Sequence, residues 1–375
     1  MATRVVHLTY DMRIGGTEMV IKSIIEGTDP DQFEMSIFCI EEPIGPWGKA
    51  LQANGIALTS IARQPGFDVA LIRKIRQHLR AEQIDIIHCH QYTPWVYGVL
   101  AALGLKTKVI FTEHGRFYPD SSSWKRRIIN PLLNSITDAI TAISNATKGA
   151  LGEYEFLPEQ RISTIYNGIS GLNVEAAEVD SLRQQLGLAD NTKVLGTVAR
   201  MDPIKNHKMM LEAVAQVVAK HPNSVLLLVG DGDERENIER WVEQLELQDR
   251  VILPGYQSDP SRYMALMDIF LLSSLSEGTS MTLLEAMSLG KPCVVTNAGG
   301  NPEIIADQVN GFVTSNDDGD EFAAAITKLL ADESTLQQFQ QASKTRFTSR
   351  YQASSMIQQY NQLYLTLNKD NGRAC

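Results

Sequence analysis

The stretch IFLLSSLSEGTSMTLLEAMSLGKPCVVTNAGGNPEII, residues 269–305, decides the architecture of the chain. Ile269 to Ser273 is a short apolar run, Thr282 to Leu289 has helical spacing, and Cys293 to Asn297 is a second β-branched run. A strand, a helix and a strand joined by short loops make a crossover between parallel strands. The helix then begins at the carboxyl edge of a parallel sheet, with its first backbone N–H groups unpaired and small hydroxyl residues around them. Such a place binds phosphate well. Glu277 and Glu285 stand eight apart across it, and two carboxylates would repel a bare phosphate. They are better suited to accept hydrogen bonds from hydroxyls, as on a ribose and a sugar ring. Each also has a bland explanation, Glu277 as an N-terminal helix charge and Glu285 as a solvated helix residue.

The same rhythm runs along nearly the whole chain. Short β-branched runs begin at Arg4, Met35, Ile56, Ile84, Val109, Ala139 and Ile162, and again at Val194, Val225, Val251, Ile269, Cys293 and Gly311, with amphipathic stretches between most of them. This is the pattern of two α/β units with parallel sheets covered by helices on both faces. The polar stretch around Asn167, Gly168 and Gly171 reads as the connection. The expected domains are residues 1–170 and 171–350, with a final helical stretch from Tyr351 to Leu367 within residues 351–375.

Composition bounds the function. The chain has 375 residues, 43% of them apolar and 21% charged, enough for packed cores and unlike a disordered chain. Its 34 basic and 44 acidic side chains give a net charge of −10, without the basic footprint of a nucleic-acid binder. Cys39, Cys89, Cys293 and Cys375 lack metal-site spacing and read as reduced thiols of a cytoplasmic protein. The N-terminal MATRVVHLTYDM has too short an apolar run for a signal-peptide core. Residues 86–105 carry no Asp, Glu, Lys or Arg, but His88, His90, Gln91, Pro94 and Gly98 interrupt them. A strand, a loop and a helix explain that run better than a membrane span.

A second constellation lies in VLGTVARMDPIKNH, residues 194–207, where Arg200 ends a strand and Lys205 follows a tight Asp-Pro loop. Two such cations can bracket a diphosphate, one as a planar fork and one as a mobile point charge. Neutralising a leaving diphosphate in this way needs no metal ion. An ordinary capping loop with solvated charges is the competing explanation. Gly230, Asp231 and Gly232 end the next strand and suit a close backbone approach.

With these motifs stand Gly15-Gly16, FTEHG at 111–115, YNGI at 166–169, PGY at 254–256 and NAGGNPEII at 297–305. In this order and spacing the chain resembles the retaining family 4 glycosyltransferases of the GT-B fold, over essentially its whole length. The resemblance implies two Rossmann-like domains facing a cleft, the first holding the acceptor and joined by the C-terminal helix within 351–375, the second holding a nucleotide-sugar donor, UDP being expected over GDP. It implies that Arg200 and Lys205 hold the diphosphate, that Glu285 binds the ribose, and that Glu277 contacts the transferred sugar. Backbone at Gly278, Thr279, Ser280, Met281 and Thr282 would reach sugar and phosphate, Gly255 and Tyr256 would neighbour the base, and Gly15 and Gly16 would approach phosphate and acceptor. His114 matches the family's sugar-contacting histidine, and His90 and Arg116 are expected on the acceptor side. No metal and no cofactor are expected.

His88 and His90 sit two apart on one strand and so share a face, which permits metal ligation, but no further ligand cluster supports it. His7 and His88 are core candidates. Trp124, Lys125, Arg126 and Arg127 lead into Ile128, Ile129, Leu132 and Leu133, a basic amphipathic segment suited to an anionic membrane surface or, more plainly, to a core face under a solvated one. The expected activity is sugar transfer to a saccharide or lipid-linked acceptor at the inner face of the cytoplasmic membrane. The alternatives are an epimerase or phosphorylase on the same fold and a non-catalytic nucleotide-sugar binder.

Overall fold

A computed structural model describes residues 2–115 and 121–370. The chain divides into two compact units, Met1–Gly168 with Ala353–Cys375, and Ile169–Gln352.

Among its described residues the first unit contains seven strands: β1 (Thr3–Thr9), β2 (Phe33–Cys39), β3 (Ala57–Ser60), β4 (Ile86–His90), β5 (Lys108–Glu113), β6 (Ala139–Ala142) and β7 (Ile162–Thr164). They form one parallel sheet in the order β3-β2-β1-β4-β5-β6-β7. Every residue of β4 is buried, as helices on both faces of a parallel sheet require. Alternation sends Leu8, Phe38, Ile87, Cys89 and Phe111 to one face, where Trp95 stacks on Phe111. Val5, Ile37, Ile86 and Ile110 go to the other, against Ile21 and Ile24 and against Met356, Tyr360 and Tyr364 of the helix Ala353–Asp370. The last helix of the chain therefore completes the core of the first unit.

The second unit has β8 (Lys193–Val198), β9 (Ser224–Val229), β10 (Val251–Gly255), β11 (Ile269–Leu272), β12 (Cys293–Thr296) and β13 (Gly311–Thr314). Its sheet is also parallel, in the order β10-β9-β8-β11-β12-β13. Leu195, Leu226, Leu228, Leu271 and Val294 pack with Leu211, Val214, Phe322 and Ile326. In each unit the order reverses beside the first strand, between β1 and β4 and between β8 and β11, leaving a crevice outside the carboxyl ends where ligands of such sheets bind.

Some local features depart from the sequence pattern. The polar connection holds a helix, Ala176–Gln185, anchored by the buried Leu182. The final helical stretch starts at Ala353 rather than Tyr351, because Tyr351 ends the helix Glu333–Arg350 and Gln352 bridges to Ile169. Cys39, Cys89 and Cys293 are buried thiols, and burial pushes Cys39 up to about 12. Cys375 lies outside the described residues. Among the described residues no helix is long and apolar enough to cross a membrane.

Tyr364 is fully buried and its hydroxyl meets His88 Nδ1 at 2.8 Å. Tyr364→Ala should destabilise the first unit by about 3–5 kcal/mol, as for other large-to-small core changes. Urea unfolding should show the first unit's transition moved to lower urea and the second unit's unmoved.

Candidate active site

The carboxyl edge of the second unit gathers the charged residues singled out in the sequence. After β8 the chain runs through Arg200 and a single 3-10 turn, Pro203–Lys205, before the helix His207–Lys220. After β11, on the far side of the crevice, it runs through Ser273, Ser274 and Glu277 to the helix Met281–Ser288. The two loops are tied together: Ser273 Oγ donates to Lys205 O at 2.7 Å, and Leu275 N donates to Ile204 O at 2.8 Å. Across this tie Lys205 Nζ pairs with Glu277 Oε1 at 2.7 Å, with side chains only 22% and 9% exposed. Ser274 Oγ donates to the same oxygen at 2.6 Å. Removing one partner of so enclosed a pair leaves the other charge buried and unpaired.

Arg200 is held differently. Its side chain is 76% exposed, and Nε and Nη2 both reach Asp202 Oδ2, at 2.7 and 2.6 Å. Asp202 was not anticipated from the sequence, where it read only as part of a tight loop. Beneath this loop lie Gly230 and Gly232, both at positive φ; a Cβ at Gly230 would fall 1.9 Å from Ala199 O and one at Gly232 2.4 Å from Met201 O. The glycines are needed because two backbones meet there.

The Glu277 loop rests in the same way on the NAGG turn. Gly299 has φ +51°, and a Cβ there would fall 1.7 Å from Glu277 O, while Gly300 N donates to that oxygen at 3.2 Å. The helix Met281–Ser288 begins at Ser280, whose hydroxyl accepts from Leu283 N. Gly278, Thr279, Met281 and Thr282 are half-buried around this helix start. Gly255 (φ +77°) ends β10 and gives its carbonyl to Gly230 N, and Tyr256 beside it is 62% exposed.

Glu285, half-buried on the helix Met281–Ser288, is pushed up to about 7 by burial and, secondarily, by the charge of Asp259. In an unfolded chain it ionises near the ordinary 4.5, so charging it is harder in the folded protein. The stability this neutral carboxyl contributes is complete below about 4.5 and is lost as pH rises through about 7. Melting temperatures of the ligand-free protein and of Glu285→Gln should therefore diverge, in favour of the variant, between these pH values and run parallel above them.

At the corresponding edge of the first unit, the helix Gly16–Gly27 starts at Gly15. A Cβ at Gly15 would fall 2.5 Å from Glu18 Oε2, so Glu18 lies over this helix start and a phosphate there would have to displace it. Burial raises the Glu18 carboxyl above its usual range. His114, just after β5, is half-buried, and its Nε2 lies 2.9 Å from His90 Nδ1. His90, expected to line the acceptor side, is instead fully buried between His114 and His7, because alternation along β4 turns it toward the helix Ala353–Asp370. His88 is buried too, against Tyr364 and Thr112. Arg116 lies outside the described residues. Among the described residues, His7, His88 and His90 form the one group of potential metal ligands, their ligand atoms within 4.8 Å of one another.

The helix Trp124–Ile136 is inverted. Its inward face carries Asn130, Asn134 and Leu133; Asn130 hydrogen-bonds Glu155 and Tyr92. Its outward face carries Trp124, Ile128, Ile129, Leu132 and Ile136, exposed by 71, 59, 45, 63 and 38%. The plainer expectation, that these apolar residues cover the core, holds for Leu133 alone, since buried asparagines take the inner positions.

Both sheets have the strand order of doubly wound nucleotide-binding folds, and comparison with known proteins supplies the class. The family described as Glycosyl transferases group 1 matches residues 178–346, and Glycosyltransferase Family 4 matches residues 14–170. The chain belongs to this family of glycosyltransferases. It is 27% identical over 322 residues to the N-acetyl-alpha-D-glucosaminyl L-malate synthase of Bacillus anthracis, covering 83% of this chain and 82% of that one. It is 24% identical over 378 residues to the UDP-Gal:alpha-D-GlcNAc-diphosphoundecaprenol alpha-1,3-galactosyltransferase of Escherichia coli, covering 97% of each. A crystal structure of Anabaena HepE in complex with UDP matches 97% of this chain and 100% of its own with a TM-score of 0.86 at 24% identity. The fold is GT-B.

Proposed function

We propose that the enzyme transfers a sugar, with retention at the anomeric carbon, from a UDP-sugar to a saccharide on a lipid carrier in the synthesis of a cell-surface polysaccharide or glycolipid. The observation that carries this is the enclosed Lys205–Glu277 pair at the second unit's switch point, beside the start of the helix Met281–Ser288. It puts a cation, a carboxylate and a helix N-terminus at one edge, which suits a diphosphate joined to a sugar. UDP as the nucleotide is supported by the HepE complex and by the UDP-Gal in the Escherichia coli enzyme's name, and a lipid-linked acceptor by the same name.

In this scheme Arg200 exchanges Asp202 for the diphosphate, and Lys205 shares its charge between Glu277 and a phosphate oxygen. Glu285 accepts from the ribose hydroxyls, Glu277 from the sugar, and Gly255 and Tyr256 flank the base. His114 of the first unit meets a sugar hydroxyl. The bond between the anomeric carbon and the diphosphate oxygen breaks, and the acceptor oxygen bonds to that carbon from the same face. The acceptor's proton passes to the leaving phosphate. Glu277 is occupied by Lys205 and Ser274, which supports this course over a covalent enzyme intermediate. The charge of the leaving group is met by Lys205, Arg200 and the helix N-terminus, with no metal ion in the scheme.

Lys205→Ala should lower transfer from the preferred donor by roughly 10²–10³ in kcat, the usual cost of one stabilising donor. The assay is a panel of UDP- and GDP-sugars with product anomers identified by NMR, and near-normal transfer by a folded variant would sink the proposal. Conversion of a UDP-sugar without acceptor would favour an epimerase instead.

We further propose that the outward face of the helix Trp124–Ile136, with Lys125 and Arg127, lies on an anionic membrane carrying the acceptor. Vesicles of phosphatidylglycerol should bind the protein at low salt, and Ile128→Glu with Leu132→Glu should abolish binding without unfolding it. Failure of the parent protein to bind such vesicles removes the membrane from the scheme.

A further inference from the structure

His7, His90 and His114 form a row across the first sheet. His7 Nδ1 lies 2.9 Å from His90 Nε2, and His90 Nδ1 lies 2.9 Å from His114 Nε2. At the inner end His7 Nε2 lies 3.4 Å from Met35 Sδ. At the outer end His114 Nδ1 is buried without a hydrogen-bond partner among the described residues.

Each contact between two rings needs one N–H and one bare nitrogen, and a neutral imidazole has one of each. Burial holds His7 and His114 down at about 3 and His90 well below its ordinary value, so all three rings are neutral near pH 7. Among the described residues, the ionisable groups acting on His90 are His88, His114 and His7, with no carboxylate among them. The helix packed on this face adds Tyr360 and Tyr364, with Tyr364 engaged by His88. A neutral row has two consistent settings: a proton on every Nε2, or a proton on every Nδ1. A thioether sulfur accepts a hydrogen bond and has no proton to give. Met35 therefore favours N–H at His7 Nε2, which makes His7 Nδ1 the acceptor for His90 Nε2–H and His90 Nδ1 the acceptor for His114 Nε2–H.

We propose that Met35, through His7 and His90, sets the tautomer of His114, so that His114 presents a bare Nδ1 that accepts a hydrogen bond from a substrate hydroxyl. Met35, His7 and His90 are positioning residues. That the hydroxyl belongs to the transferred sugar rests on the function proposed above; the tautomer does not.

The test uses the full-length protein with ¹⁵N-labelled histidine and no ligand. Long-range ¹H–¹⁵N correlation spectra distinguish protonated from bare ring nitrogens, with signals assigned from His7→Phe, His90→Phe and His114→Phe. Between pH 6 and 8, His7, His90 and His114 should each carry the proton on Nε2. Met35→Leu preserves volume and removes the acceptor. It should bring a protonated Nδ1 population at His114, while UDP still raises the melting temperature as in the parent. Protonation of parent His114 at Nδ1, double protonation at pH 7, or an unchanged pattern in Met35→Leu would overturn the proposal. So would rearrangement of the row around one equivalent of added Zn²⁺, which would make His7, His88 and His90 a metal site. In the transfer assay Met35→Leu should lower kcat/KM several-fold in the parent and leave it unchanged in His114→Ala. If the spectra behave as expected while no transfer is found, the tautomer stands and the sugar falls.

Discussion

In a parallel sheet every strand points the same way, and each must be re-entered from its starting end through a right-handed crossover. All carboxyl-end loops therefore lie along one edge, and where the strand order turns back on itself two of them part. In the second unit these are the loops after β8 and β11. Lys205 belongs to one and Glu277 to the other, far apart in sequence and 2.7 Å apart in space. The tight packing of the two glycine turns follows from the same constraint, since loops forced onto one edge must pass backbone against backbone at Ala199, Met201 and Glu277. The first unit repeats the geometry with β1 and β4, and there the edge is lined by histidine and by Glu18.

Charge at the second unit's edge is balanced before any ligand arrives. Arg200 holds Asp202 and Lys205 holds Glu277, so neither cation is left without a counter-charge at this edge of a net-acidic protein. In the proposed scheme a diphosphate would exchange partners there more than neutralise vacant charge, and the energetics of binding would lie in the difference between two sets of ion pairs. Glu285 follows another rule: with no cation among the described causes of its shift, burial holds it at about 7, so that near neutrality a substantial share stays protonated in the ligand-free state.

Much of this was legible in the sequence, because a buried parallel strand leaves a strong mark. Runs such as VLLLV and CVVT can hardly be anything else, and the Glu277–Glu285 spacing reads directly as loop and helix. What stayed hidden depends on neighbours that periodicity does not name. Alternation says that His88 and His90 share a face, but not that β1 brings His7 beside them or that Met35 ends the row. Asp202 and Glu18 looked like ordinary loop and helix acids. The helix Trp124–Ile136 misled in a different manner: hydrophobicity normally marks the buried side, and here Asn130 and Asn134 hold the inner positions through hydrogen bonds that no pattern of apolar residues announces.

The return of the chain at Ala353 has a bearing on how the protein is made. The face of the first sheet bearing Val5, Ile86 and Ile110 is closed by Met356, Tyr360 and Tyr364, yet the whole of Ile169–Gln352 is translated in between. At about 5–20 residues per second a ribosome takes on the order of ten to forty seconds over that interval. For that time the nascent first unit carries an uncovered apolar surface while the second unit, continuous in sequence, is free to fold. Completion of the first unit's core thus waits until the whole of the second has been translated.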